Sequence, residues 1–454
     1  MKTKIKILSA FFLVFSLMIF SGCGCKSKNT ANYTLKLEVW GFLDDRDALA
    51  EIFQSYSKIN RNVSKIEYRK LSTDTYKKEV LEALASGQGP DIFLINNAWM
   101  ASFSDKVVPA PTEIINEQKL RKDFVDVVAA DFLMDGKVYA IPLSVDSIGL
   151  YYNKDLFNQA GITAPPKDWV EFQEDVAKLT KINSFGEITQ AGAAFGTAYN
   201  INRSTDLLNL LMLQNGTRMI SDSGAPDFDS TTGENALSFY TQFAKSGSPY
   251  YTWNTKMHYS IDAFSEGTVA MMLNYSWHIP TIKEKSPKLN FAIAPVPQFS
   301  GGREVNYANY WGYVVARNKI IPADQPGVTN DIRAAEAWKF LAFLTTKPER
   351  SIEGSGISAL GGGVDPNFDP AFNYLQKTRR PSGRRDIIEK QKSDPEIGVF
   401  AEDNLIDASW RQADAEANEA IFAAMIDDVN RGQFSINDAM DQAAQRIGKI
   451  IYGR

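Results

Sequence analysis

Cysteine and histidine set the first limits on the chemistry. The chain has two Cys, Cys23 and Cys25, and two His, His258 and His278. Disulfides within the body, Cys-rich zinc sites and His-rich metal centres are thereby excluded. A nucleophilic triad needs a base, and only His258 or His278 could serve; a lone His near aromatics ordinarily packs or hydrogen-bonds. No phosphate-binding loop, GxGxxG or GxSxG occurs, and Gly136-Lys137 lacks both the upstream Gly and the following Ser or Thr. The chain carries 54 acidic residues, so paired carboxylates keep glycoside hydrolysis open as an alternative. The expectation is a protein without cofactor or metal.

The aromatic residues are more informative. Trp40, Trp99, Trp277, Trp311 and Trp410 fall in or beside expected loops, whereas Trp169 and Trp338 sit on helical apolar faces and Trp253 is undecided. A sugar ring has an apolar C–H face and a rim of hydroxyls. Trp or Tyr covers the first, and Asp, Asn or Arg bonds the second. One Trp alone reads as core. Several at strand ends, joined by Asp44, Asn96, Asn97, Asp146 and Asn274, point to a ligand cleft.

Such residues need a scaffold to aim them. A strand over 35–40 is followed by an amphipathic helix with Leu49, Ile52, Phe53 and Tyr56 on one face. A short strand at 65–68, a helix that stops at Gly87 and the apolar run Ile92-Phe93-Leu94-Ile95 complete an alternation typical of an α/β layer with a mainly parallel sheet. Ligands sit beyond the carboxyl ends of such strands, which places 40–45 and 96–99 at the site edge. Further strands are expected at 148–152, 268–273, 291–296 and 309–316. Helices are expected at 168–179, 205–213, 234–245, 331–346, 407–431 and 435–451, with Asp168 and Glu171 forming a capping box. With 454 residues, 44% of them hydrophobic, two lobes are expected rather than one core. The formal net charge of −5 and the lack of any basic tract argue against a nucleic-acid partner.

The first 22 residues read as an export address. Lys2, Lys4 and Lys6 precede an apolar run over 7–20, too short to span a membrane comfortably. Phe20-Ser21-Gly22-Cys23 is similar to a bacterial lipobox, with Phe20 where Leu is usual. Cys23 would then carry lipid, and the polar stretch 23–32 would be a tether.

Certain segments carry a resemblance along nearly the whole mature chain. They are Leu37-Glu38-Val39-Trp40-Gly41, Gly87-Gln88-Gly89-Pro90-Asp91, Tyr152-Asn153-Lys154-Asp155-Leu156-Phe157 and Ala294-Pro295-Val296-Pro297. Phe264-Ser265-Glu266-Gly267, Ser276-Trp277 and Gly432-Gln433-Phe434-Ser435 follow in order. Together they resemble the carbohydrate-type extracellular solute-binding proteins, the group that includes maltose-binding protein.

The resemblance implies a two-lobed periplasmic-binding-protein-like α/β fold of type II, with hinge strands between the lobes. Lobe one would take 33–143 and 309–357, and lobe two 144–308 and 358–454. Asp44, Asp146 and Trp277 match positions where relatives touch sugar. Trp99 sits where some relatives carry a charged sugar contact, Trp410 lies near a C-terminal aromatic contact, and Trp311 and the loop around Gly362 fall in regions that often line the cleft. The implied function is capture of a sugar or oligosaccharide by a monomeric, exported, lipid-anchored subunit that delivers it to ABC permease subunits. The alternatives are a surface-anchored glycoside hydrolase and a ligand-presenting partner of a membrane sensor.

The anchor is directly testable. Cys23→Ala should release the protein from membranes, and the wild type should take up labelled palmitate; more than one chain is expected, because a single acyl chain holds weakly. Membrane retention of the variant, together with an unlabelled wild type, would dispose of the anchor.

Overall fold

The structure is a computed structural model that describes residues 33–348, 365 and 367–452. The expected leader, the tether with Cys23, and Gly362 lie outside the described residues.

The first sheet has the order Val63–Lys70, Leu35–Gly41, Ile92–Asn96, Trp311–Ala316, Val107–Val108, and Ile141–Pro142 also pairs with Trp311–Ala316. Leu35, Leu37 and Val39 alternate into the core, as a period of two requires. Ile92 to Ile95 is buried throughout because the strand is central and covered on both faces. The helix Arg46–Ile59 lays Leu49, Ile52, Phe53 and Tyr56 against this layer. Asp91 pins the entry to the central strand. Its carboxylate accepts from the Glu38 N–H at 2.6 Å and pairs with Lys319 at 3.3 Å and Arg333 at 3.4 Å.

The second sheet has the order Phe291–Ala294, Ile148–Asn153, Val269–Tyr275, Ile188–Ala193, Lys181–Ile182. The helix Lys154–Gln159 leaves the second of these strands through an Asn153 cap, whose Oδ1 accepts from the N–H groups of Asp155 and Leu156. Asp168 caps Trp169–Leu179 in the same way, and Glu171 reaches back to the Lys167 N–H at 2.8 Å.

The parallel pairing expected from the sequence is found for the first three strands of lobe one and, in the second sheet, for Ile188–Ala193 with Val269–Tyr275. Trp311–Ala316 runs antiparallel to Ile92–Asn96, and Ile148–Asn153 runs antiparallel to both of its neighbours. The cause is chain crossing. A strand entered from the hinge runs opposite to a strand that ends there. Trp311 therefore pairs with Asn96, and Ile148 with Tyr275. Both sheets thus present strand ends to the same gap.

Two buried cores follow. One spans Leu35 to Val145 and returns with 308–344; the other spans Ile148 to Tyr307 and returns near Ile397. The sequence-based boundary at 358 needs correction. Ala371, Tyr374, Leu375, Ile387 and Ile388 belong to the first core, because the helix Pro370–Thr378 packs against Arg46–Ile59 and Asn330–Thr345. The expected helix over 407–431 is also shorter. Asp407–Ala408 is a strand paired in parallel with Asn306–Tyr307, and the helix is Ala415–Asn430. Backbone pairing at the hinge outcompetes helix extension there.

Trp169, Trp253 and Trp338 are fully enclosed. The indole N–H of Trp169 donates to Gln214 at 2.6 Å and that of Trp253 to Asn200 at 2.9 Å. Trp169→Ala and Trp338→Ala should each cost about 3–5 kcal/mol in denaturant unfolding. A loss below about 1 kcal/mol would contradict their placement.

Candidate functional site

A cavity of about 790 Å³ lies between the lobes. Its lobe-one wall is aromatic. Phe42 meets Trp311 edge to face at 4.6 Å between ring centroids, and Trp99 meets Trp311 in the same way at 4.9 Å. Trp99 is backed by Phe103 in a near-parallel stack at 5.9 Å. From lobe two, Trp277 stacks on Tyr275 at 4.3 Å and 14° between planes, and it is 41% exposed. A Trp that open, resting on a fully buried Tyr, lines the cavity instead of packing in the core. The short helical turns Asn97–Trp99 and Ser276–His278 present these rings, one directly after each central strand.

Charged groups border the aromatic walls. Arg203 and Glu419 approach within 3.7 Å, and Lys77 of lobe one meets Glu416 of lobe two at 2.8 Å. The Lys77 ammonium also lies 4.7 Å from the centre of the Trp99 ring. Burial and nearby Arg203 lower the pKa of His278 to about 4, so this His is neutral at physiological pH.

Among the residues singled out from the sequence, Asn96, Asn97, Trp99, Asp146, Trp277 and Trp311 line the cavity. The two Asn side chains are largely committed to the scaffold. Asn96 donates to Asn309 at 3.0 Å, and Asn97 donates to Asp131 at 3.1 Å. Asp146 accepts from the Ser276 hydroxyl at 2.5 Å, tying the first crossing to the end of the second sheet.

Four residues expected at the site do not line it. Trp40 is buried, donates to Glu38 at 2.7 Å and carries Arg69 over its ring; Phe42, two residues on, takes the cleft position. Asp44 is buried and engaged by Tyr374 at 2.6 Å and Arg380 at 3.0 Å, so it is Arg380 that reaches the cavity. Asn274 is enclosed within its strand, with its Oδ1 on the Tyr275 N–H. Trp410 packs on Phe422 and donates to Asn209 at 2.9 Å, leaving those two partners at the surface of the cavity. Gly362 lies outside the described residues.

Sequence reasoning missed Phe42, Arg203, Asp206, Asn309, Arg380, Glu416 and Glu419. One signal was available: Asp206 and Asn209 stand three apart and Asn209 interrupts the apolar run over 207–213, which puts two polar groups on one face of a buried helix.

The hinge gathers buried carboxylates. Burial raises Asp146 to about 7, against bonds from Ser276 and the Ser147 backbone. Burial likewise raises Asp403 to about 7 and Asp131 to about 6, against bonds from Asn306 and from Ser409, Tyr310 and Asn97. Asp407 is pushed well above the carboxylate range by burial and then by Asp403, Asp146 and Asp131. Neither of its oxygens meets a hydrogen-bond partner among the described residues.

Two α/β lobes, joined by repeated crossings around an aromatic-walled cleft, define a two-lobed binding protein of the periplasmic type. The chain belongs to the bacterial extracellular solute-binding protein family, whose model matches residues 44–350. The maltodextrin-binding protein of Bacillus subtilis is 26% identical over 74% of this chain and 76% of its own length. The maltotriose-binding protein of Pyrococcus abyssi is 24% identical over 59% of this chain and 53% of its own. A crystal structure of a cyclic alpha-maltosyl-1,6-maltose binding protein from Arthrobacter globiformis superposes with a TM-score of 0.72, covering 93% of this chain and 100% of that one at 19% identity.

The hinge carboxylates have a pH signature. An unfolded Asp ionises near ~3.9. Folded groups raised to about 6 and 7 hold their protons longer, so their contribution to stability is lost as pH rises from about 4 through 7. The melting temperature should therefore rise as pH falls from about 8 to 5. Asp407→Asn should raise it at pH ~8 and flatten that dependence. A lower melting temperature for Asp407→Asn at alkaline pH would refute this account.

Proposed function

We propose that the protein captures a sugar or oligosaccharide in the interlobe cleft and delivers it to the permease subunits of an ABC importer. In this reading it acts as a monomer at the outer face of the cell membrane, held there by lipid on Cys23. Its described residues would form two bodies, with the segment around 370–388 moving with lobe one. The observation that carries the reading is the pairing of exposed Trp277 from one lobe with Trp311 and Trp99 from the other, bordered by Arg203, Glu416 and Glu419. Aromatic faces fit the C–H surface of a pyranose, and ionised side chains form strong hydrogen bonds to its hydroxyls. The named binding activities of the relatives, maltodextrin and maltotriose among them, agree with a chain of glucose units as the class to try first.

Hinge motion supplies the rest of the mechanism. Closure around a ligand is a general device of two-lobed binding proteins. It removes water from the cleft and strengthens each hydrogen bond made there. The Lys77–Glu416 pair already spans the mouth, where it favours approach of the two lobes.

A thermal-shift screen against sugars tests the proposal, since a ligand that binds only the folded state raises its melting temperature. A malto-oligosaccharide should do so and should change tryptophan fluorescence. Trp277→Ala should weaken binding at least about tenfold, leave the unliganded melting temperature within a few degrees, and abolish the fluorescence change. A melting drop like that of Trp169→Ala, with affinity retained, would assign Trp277 to the core. Release of reducing sugar from the bound oligosaccharide would replace capture with hydrolysis.

A further inference from the structure

Asp206 is buried in the first turn of the helix Ser204–Gln214, and four hydrogen bonds converge on its carboxylate. Arg203 donates twice, from Nε to Oδ2 at 2.7 Å and from its terminal nitrogen to Oδ1 at 2.9 Å. The Tyr275 hydroxyl donates to Oδ2 at 2.8 Å. Asn309, in the segment leading to Trp311–Ala316, donates to the same oxygen at 3.3 Å. Asn309 in turn accepts from Asn96, at the end of a lobe-one strand.

Each donor bears on the cleft. Tyr275 is the ring on which Trp277 is stacked. Arg203 lines the cavity and sits at φ 56°, a left-handed backbone unusual for a residue with a side chain. Such a conformation persists only where the surroundings over-determine it, and the paired bonds to Asp206 do so. The helix N-terminus favours the negative charge at this position.

We infer that Asp206 is the positioning residue of the cleft: it orients Arg203 and, through Tyr275, Trp277, and it links both to lobe one through Asn309 and Asn96. Asp206 acts through these neighbours. A carboxylate is needed because donors face both of its oxygens; an amide can accept on one side only and would turn N–H groups toward the other donors. Pre-orienting the platform removes an ordering cost that would otherwise be met on binding. The same carboxylate reads the relative position of the lobes, since Asn309 reaches it from the crossing segment.

The affinity arm of the test rests on the sugar-capture reading; the spectroscopic arm does not. The full chain, labelled with fluorotryptophan, carries eight tryptophans, and Trp277→Phe assigns the Trp277 resonance in fluorine NMR. Asp206→Asn should shift or broaden that resonance while Trp169 and Trp338 keep theirs. Tyr275→Phe, which removes one hydroxyl and keeps the stacked ring, should move it in the same way. Asp206→Asn should also weaken maltotriose binding at least about tenfold, with a smaller loss for Tyr275→Phe. An unmoved Trp277 resonance in both variants overturns the inference. If the Trp169 and Trp338 signals of Asp206→Asn show that it does not fold, Tyr275→Phe alone decides. If the wild type binds neither maltotriose nor any other sugar tried, the sugar reading falls, and the resonance arm still decides the role of Asp206.

Discussion

Only a few residues separate Ile141–Pro142 from Ile148–Asn153, and Asn306–Tyr307 from Trp311–Ala316. Over the first span the chain leaves one large sheet and enters the other; over the second it leaves the short pair made with Asp407–Ala408 and enters the first sheet. That constraint fixes where strands begin and end: Trp311 opens its strand beside Asn96, which closes another, and Ile148 opens its strand beside Tyr275. The residues just outside these pairs, Ala98 and Trp99 on one side and Asp146, Ser276 and Trp277 on the other, have no sheet to enter. They face the gap instead. The cleft is therefore a consequence of the crossings, and its lining is drawn from the residues at strand ends.

The same crossings force polar backbone and short side chains into a dry place. The strand pair Asn306–Tyr307 with Asp407–Ala408 satisfies part of the backbone. Asn306 donates to the Ile148 carbonyl at 2.7 Å and to Asp403 at 3.0 Å, and Asn404 donates to the Val145 and Ser382 carbonyls. These bonds cross between segments far apart in sequence, so they define how the lobes meet. Asp407 is the exception, buried with unpaired oxygens among other carboxylates. A stable core would not place it there.

Aromatic and charged residues divide the work in the cleft. Phe42, Trp99 and Trp311 support one another edge to face, which fixes their rings without filling the gap. The polar groups behave differently. Asn96, Asn97 and Asp146 spend hydrogen bonds on the scaffold, whereas Arg203, Glu416 and Glu419 pair with other charged groups along the cavity wall.

The elements and their approximate order are legible in the unfolded chain, because local rules govern them. The caps at Asn153 and Asp168, the apolar run at Ile92 and the amphipathic helix Arg46–Ile59 follow from hydrogen bonding and periodicity within a few residues. The turn-borne Trp99 and Trp277 were legible for the same reason, since each follows a strand. Tertiary structure decided which polar residues face the cleft. Asp44 reads as a free carboxylate until Tyr374 and Arg380, more than three hundred residues away, engage it. Trp40 and Phe42 lie two apart, and only the packing of Arg69 and Trp311 decides that Phe42 lines the cavity while Trp40 is covered. Trp410 is drawn inward by Asn209 across two hundred residues of chain. Strand direction belonged to the same class, since parallel or antiparallel pairing depends on which end of a sheet the chain re-enters. Local spacing carries no information about partners brought together by a crossing, and that is the physical limit of reading this chain unfolded.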